Sequence, residues 1–311
     1  MKQKIATIFG ASGFIGRHLI RRLTKKDFQI IAATRSPYLH GYLKPLGNPG
    51  QIDLEKVNLF DEERLRTLIK SSDVVINLVG ILYETKKQKF EDIHAKFPDL
   101  LSKLCSELNI KKLVHISALG INETVSSQYM QSKLKGEKNI INNFDRSAIL
   151  RPSVIFGPED RFFNQFASLA EFFPVLPLIG GGLTYFQPIY VEDIAKSIVV
   201  VSEKEEINNS IYELGGPQTF TFKELMKILL KQIKKKRFLV PIPYSFAKFQ
   251  AKILQLLPKP LLTTDQVEML KYDNIVTNNY PTIKDLKINP KTIESVLPNY
   301  IWRFRRGGQF A

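Results

Sequence analysis

A chain of 311 residues with 44% hydrophobic and 24% charged residues has the composition of a globular protein of one large domain or two, which excludes a disordered chain. The single Cys105 excludes an internal disulfide, and the four scattered histidines (18, 40, 94 and 115) show no metal-ligand spacing, so no metal is expected. The net charge of +15 is lopsided: from Pro217 onward there are 17 Lys and Arg against 6 Asp and Glu, so the last third is expected to meet something acidic, such as lipid headgroups, a protein partner or nucleic acid.

MKQKIATIFG runs almost directly into a strand, so no signal or transit peptide is expected. Apolar runs such as VVINLVGIL fall short of the roughly 18 residues that span a bilayer. A soluble or peripheral chain is expected.

In chain order, KIATIFG, FQIIAATR, KVNLF, DVVINLVG, KLVHISA and SAILRPSVIFG read as strands. Between them GRHLIRRLTKK, DEERLRTLIKS and FPDLLSKLCSELN carry apolar residues at helical spacing. That alternation predicts an α/β fold, a Rossmann-type doubly wound parallel sheet with a smaller C-terminal lobe. The expected nucleotide-binding domain is 1–157, with segments at about 185–215, including the helical VEDIAKSIVVVSEK, returning to the sheet. Residues 158–311 are expected to form the smaller, basic lobe. Its amphipathic helix, at about 242–257, puts Phe246, Phe249, Ile253 and Leu257 on one face and Lys248, Lys252 and Gln255 on another. Such a helix packs on its own lobe, lies on a membrane or fills a partner's groove.

Gly10, Gly13 and Gly16 of GASGFIG follow the first strand and open a helix. Without side chains there, the backbone turns tightly against a pyrophosphate, and the helix N-terminus offers free N–H groups to the anion. The second strand ends in Arg35, where an NAD site usually carries an acid for the ribose hydroxyl. A guanidinium grips a 2′-phosphate instead, and Arg17 is placed to reach the same region, so NADP(H) is expected over NAD(H).

These residues resemble the short-chain dehydrogenase/reductase superfamily in its extended or atypical branches, through GASGFIG, NLVG, HISALG, YMQSK, RPSVIFGPEDRF and YVEDIA. A narrower resemblance covers nearly the whole chain. LKPLGNPGQI, SSDVVINLVGILYETK, FEDIHAKFP, PIPYSFAKF, TTDQVEMLKYDNIV and YIWRFRR are similar to the family of NADPH-binding accessory subunits of respiratory complex I (alpha subcomplex subunit nine) and their bacterial relatives. The resemblance implies bound NADPH and complex I partners at the junction of the peripheral and membrane arms. With no transit peptide in view, it implies a bacterial chain, peripheral on the cytoplasmic face of the inner membrane. It carries dinucleotide contact onto Ser12, Phe14 and Ile15, onto Asn58, Leu59, Val79 and Gly80, and onto Pro152 and Val154. Nucleic acid is not expected, since no helix-turn-helix is evident.

The same resemblance gives Tyr129 a proton-transfer role. It gives Lys133, one helical turn on, the task of lowering the phenol's pKa and holding the nicotinamide ribose, and gives Ser117 the substrate carbonyl. Tyr–Lys at this spacing also occurs at Tyr83, Tyr244 and Tyr280, but only Tyr129 lies between the HIS and RPSVIFG strands. Tyr129 follows Ser117 by only 12 residues, so the wall of any substrate pocket is short. Three readings stay open: a subunit that only holds its cofactor, a working reductase or epimerase on a small carbonyl, isoprenoid or sugar-like substrate, and a redox-sensing binding module in the style of transcriptional regulators, which rests on the basic charge alone.

Overall fold

The computed structural model describes residues 3–121, 126–258 and 260–308. The first half runs β1 (Ile5–Phe9), α1 (Phe14–Thr24), β2 (Gln29–Thr34), β3 (Ile52–Lys56), α2 (Glu62–Ile69), β4 (Val74–Asn77), α3 (Phe97–Glu107), β5 (Lys112–Ile116), α4 (Gln128–Asn143) and β6 (Ser147–Pro152). The second half runs β7 (Ile155–Phe156), α5 (Phe162–Phe172), β8 (Val175–Ile179), β9 (Tyr185–Phe186), β10 (Ile189–Tyr190), α6 (Val191–Glu203) and β11 (Ser210–Leu214). It continues through β12 (Phe220–Thr221), α7 (Phe222–Gln232), β13 (Phe238–Ile242), α8 (Tyr244–Leu254), α9 (Thr264–Met269), α10 (Ile293–Val296) and α11 (Pro298–Ile301).

Seven strands form one sheet in the order β3-β2-β1-β4-β5-β6-β11, every pair parallel. Strands β4, β5 and β6 are buried throughout because helices cover both faces. On one face α1 and α6 bring Leu19, Ile20, Leu23, Ile194 and Ile198 onto Ile8, Ile30, Ile76 and Val114. On the other, Leu65, Phe97, Leu101, Leu104 and Ile140 cover Phe9, Val75, Leu113 and Ile149. Each such buried side chain stabilises the layer by about 1.5–3 kcal/mol before entropy is subtracted. The strand order reverses between β1 and β4, and open α/β sheets place their ligand crevice at such a reversal, beyond the carboxyl ends of the strands.

The third strand differs from the sequence reading. It is Ile52–Lys56, and KVNLF begins only at its last residue. As an edge strand β3 tolerates Asp53, Glu55 and Lys56, so it lacks the apolar run that marks the central strands. SAILRPSVIFG likewise divides into β6 and the short β7, which pairs with β10.

The C-terminal segments build a second core, in which Phe156, Phe163, Phe186 and Phe222 meet Ile293, Leu297, Tyr300 and Ile301. The GPEDRF stretch is its hub. Asp160 caps α5 by accepting from the backbone N–H of Phe163 at 2.7 Å, and it also accepts the Tyr300 hydroxyl proton at 2.6 Å. Arg303 donates to the Pro158 carbonyl at 3.1 Å. On the other side of the hub, Glu159 meets His18 of α1 at 3.2 Å, and His18 also meets Glu192 of α6 at 2.5 Å. Burial alone would raise the Glu192 carboxyl, but His18 and Arg22 hold it down at about 2. GPEDRF therefore ties the glycine-turn helix to the end of the chain.

Candidate functional site

The crevice begins at the turn after β1. Gly10 has φ +81°, and a Cβ there would stand 3.1 Å from the carbonyl carbon of Leu78, at the end of β4. At Gly16 a Cβ would stand only 2.3 Å from the Ala11 carbonyl oxygen, so α1 reaches this close only with glycine at that position. Gly13 is exposed and caps α1 with no side chain, and no acidic residue lies in the first turn. The helix thus presents its free amides and positive dipole end to the crevice. Ser12, Phe14 and Ile15 are half-buried around them.

Arg35 stands exposed directly after β2. Arg17 lies one turn into α1, with a guanidinium nitrogen 3.7 Å from Glu159. The buried Nε of Arg17, Thr34 Oγ1 and His40 Nδ1 make no hydrogen bond. Tyr42 donates to the Ser12 carbonyl at 3.3 Å and so crosses the turn from the segment after β2. Asn58 is exposed and Leu59 half-buried, just past the point where Val57 N–H still bonds the Thr34 carbonyl. This end of the crevice is open.

The other end is closed over Ser117, Tyr129 and Lys133, with Gly80 exposed at its rim. Ser117, directly after β5, is 4% exposed, and its Oγ makes no hydrogen bond. Tyr129 and Lys133 lie in the first two turns of α4, 8% and 3% exposed. The Lys133 ammonium donates to the Ile116 carbonyl at 2.9 Å, and burial, opposed by Glu137, lowers it to about 8. Burial, reinforced by Asp265, pushes the Tyr129 phenol up to about 12. Gly80 borders the same pocket: a Cβ on it would lie 3.6 Å from Lys133 Nζ and 3.7 Å from His94 Nε2. Val79 donates its N–H to Asn77 Oδ1 at 3.0 Å, Pro152 ends β6, and Val154 donates to Asn274 Oδ1 at 3.0 Å.

Sequence reasoning gave no role to three residues that shape this end. His94 is fully buried and held down to about 2 by burial, then by Lys133 and His115. Its neutral ring accepts the Ile81 N–H at Nε2 (3.0 Å) and so carries its proton on Nδ1, facing Ser132 Oγ at 3.0 Å. Asp265 accepts the Gln128 and Tyr129 N–H groups at 2.7 and 3.2 Å, capping α4 from a segment more than 130 residues away. Asn274 also donates to the Leu119 carbonyl at 3.0 Å. FEDIHAKFP and TTDQVEMLKYDNIV contain all three, but no local spacing marks which residue in them reaches the crevice.

The donor set fits a dinucleotide: bare helix amides at a glycine cradle, an exposed arginine beyond β2, and buried polar atoms awaiting partners at both ends. No cluster of three or more His, Cys, Asp or Glu side chains arranged to hold a metal occurs among the described residues.

A model of the NAD dependent epimerase/dehydratase family matches residues 6–215. The chain belongs to that family. This epimerase/dehydratase-family chain is 33% identical to NADH dehydrogenase [ubiquinone] 1 alpha subcomplex subunit 9, mitochondrial, of Arabidopsis thaliana, over 98% of the chain and 79% of the relative. It is 31% identical to the subunit of the same name from Mus musculus, over 93% of the chain and 78% of the relative. Among solved structures, a dTDP-glucose 4,6-dehydratase from Streptomyces venezuelae with NAD and TYD bound superposes with a TM-score of 0.73. That match is 16% identical, spans 97% of this chain and 98% of the other, and shows the fold. The family match ends at residue 215, whereas the alpha subcomplex likeness runs over 98% of the chain.

Proposed function

We propose that this epimerase/dehydratase-family chain is an accessory or assembly subunit of respiratory complex I (NADH:ubiquinone oxidoreductase). In this reading it holds NADP(H) as a structural ligand and does not turn it over. The single observation that carries the reading is the packing of Phe90, His94, Met269 and Tyr272 around the Tyr129 ring, where a catalytic tyrosine needs open space for a substrate oxygen. Similarity to named complex I subunits along almost the full chain supports the same conclusion.

Gly10, Gly13 and Gly16 hold the pyrophosphate against the α1 amides, with Ser12, Phe14 and Ile15 around it. Arg35, with Arg17 drawn off Glu159, takes the 2′-phosphate, which favours NADP(H). Asn58, Leu59, Val79 and Gly80 line the adenosine half, and Tyr129, Lys133, Pro152 and Val154 the nicotinamide half. When bound, the nicotinamide supplies a hydride-carrying ring. The protein's contribution is to exclude water and substrate from that ring and to gain stability through it. A ligand at a hundred times its Kd adds about 2.7 kcal/mol to the folded state.

The proposed location is the cytoplasmic face of a bacterial inner membrane, at the junction of the peripheral and membrane arms. No helix among the described residues is long and apolar enough to cross a membrane. Helix α8 buries Ala247 and Ala251 and turns Phe246, Phe249 and Ile253 outward, with Phe249 62% exposed. Phe238, 75% exposed, follows the basic run Lys235, Lys236, Arg237. Basic charge interleaved with exposed apolar side chains suits an anionic lipid surface.

A second reading, an NADP-dependent reductase or epimerase, is favoured by one observation, the unbonded hydroxyl of Ser117. The two separate on purified full-length protein. The structural reading expects about one NADPH per chain, unoxidised through a broad carbonyl screen, with binding intact in Tyr129→Phe. Turnover that Tyr129→Phe abolishes would establish the enzyme instead.

A further inference from the structure

Residues 263–274 lie across the shut end and are fastened to both of its walls. At one end Asp265 is bonded to the first turn of α4, where it also accepts from Ser127 Oγ at 2.8 Å, and Glu268 accepts from Ser126 Oγ at 2.7 Å. At the other end Asn274 holds the opposite wall. Its Oδ1 accepts from Ser153 Oγ at 2.7 Å and from the Val154 N–H, and its Nδ2 bonds the Leu119 carbonyl. Between these fastenings Met269 and Tyr272 pack onto Phe90, Tyr129 and Met130. The ring edge of Tyr129 is closed from the far side by Phe90 and His94, with centroids at 5.8 and 5.1 Å.

A catalytic tyrosine needs open volume in front of its hydroxyl for a substrate oxygen. Here the chain's own side chains pack around that ring. The fastenings are unequal. Asp265 acts through side-chain bonds to the end of one helix, and the α9 it stands on is only six residues long. Asn274 uses its backbone as well: its N–H bonds the Tyr185 carbonyl at 2.8 Å, and its carbonyl accepts from Gln187 N–H at 3.1 Å. The middle is held by the second lobe, with Val267 fully buried against Ala247 and Ala251 and the Leu270 carbonyl accepting from the Tyr244 hydroxyl at 2.9 Å, so opening starts at the Asp265 end, where side-chain bonds to α4 hold the segment.

We propose that residues 263–274 are a strap that occupies the substrate side of the crevice and gates the dinucleotide, hinged at Asn274 and latched by Asp265. The proposal rests on the NADP(H)-holding reading and deepens it. The strap closes the nicotinamide end of the site, so the residence time of that half of the cofactor is set by the Asp265–α4 contact.

The test uses the full-length chain loaded with NADPH, with release followed by loss of nicotinamide fluorescence on dilution into excess NADP⁺. Hydrogen exchange of the cofactor-free chain is measured alongside. Asp265→Ala is expected to speed release tenfold or more and to raise exchange in peptides covering 263–272 and 127–130. Asn274 and strands β1 and β4 should stay protected. Asp265→Asn, which keeps an acceptor for the α4 amides, is expected to restore most of the slow release, and Met269→Ala to reproduce part of the loss independently. Release within twofold of wild type in Asp265→Ala, with faster exchange at 263–272, overturns the gate. Exchange unchanged at 263–272, or raised equally across the whole chain, overturns the separable strap. If the wild-type chain takes up no NADPH, the holding function falls with the gate, while selective exchange at 263–272 would still distinguish a movable strap from a fixed one.

Discussion

The ammonium of Lys133 and the carbonyl oxygen of Ile116 are 2.9 Å apart, which anchors α4 to the end of β5 in the floor of the crevice. A lysine so buried that its pKa falls from 10.5 to about 8 resists the charge it carries at neutral pH. The folded chain binds fewer protons at this site than the unfolded chain between those two values. Stability therefore rises as pH climbs from about 8 to 10.5, and the full cost is felt below 8. That cost is roughly 3 kcal/mol, and losing the bond to Ile116 returns about 1. Lys133→Met is expected to stabilise the cofactor-free chain at pH 7 by roughly 2 kcal/mol in urea titrations, with the gain fading toward pH 10.5, and to weaken NADPH binding. A variant less stable than wild type at pH 7 would show that the lysine is not strained there.

The two glycines of the α1 turn should fail differently. Gly16→Val drives a side chain into the Ala11 carbonyl, 2.3 Å from where its Cβ must sit. It should cost more than about 4 kcal/mol and prevent folding. Gly13→Val meets only the Gly10 carbonyl, at 3.1 Å, while its methyls fill the space in front of the α1 amides. It should melt within a few degrees of wild type and lose NADPH binding at least a hundredfold. Thermal melts with and without NADPH compare the two, and Gly13→Val that still gains stability from NADPH would remove the pyrophosphate from that turn.

Arg35→Asp puts a carboxylate where the sequence lacks one. It should reverse the preference, weakening NADPH by one to two orders of magnitude and leaving NADH nearly unchanged, because only the former carries the 2′-phosphate. Calorimetric titration with both reduced nucleotides reads the ratio. A ratio that does not move would take the 2′-phosphate away from Arg35.

Much of this arrangement is legible in the sequence, and the parts that are not have physical reasons. The glycine turn is local, so strand, turn and helix signal it within a dozen residues. β3 is hidden because an edge strand need not be apolar. The amphipathic pattern of α8 reads alike for a core helix and a docking helix. Only the fold shows that the small residues Ala247 and Ala251 face inward and the phenylalanines outward. The closing of the crevice is the least legible, since Phe90, Tyr129, Met269 and Tyr272 meet from three distant segments. Asp265 caps a helix that begins 137 residues earlier, and no spacing rule reaches that far.

The exposed face of α8 gives a prediction separate from the crevice. Phe249→Glu combined with Phe246→Glu should leave the melting temperature within about 2 °C of wild type, because both rings already stand in solvent. Binding to vesicles containing anionic lipid should fall at least tenfold, and the wild-type binding should weaken with salt. Sedimentation with vesicles measures it. Equal sedimentation of variant and wild type would place the contact elsewhere.

The most direct test of the account is native mass spectrometry of respiratory complex I drawn from the source cell's own membranes. The account predicts this chain in the assembly, at its sequence mass plus one NADP(H). An assembly that lacks the chain, or a chain that carries no dinucleotide there, would contradict it.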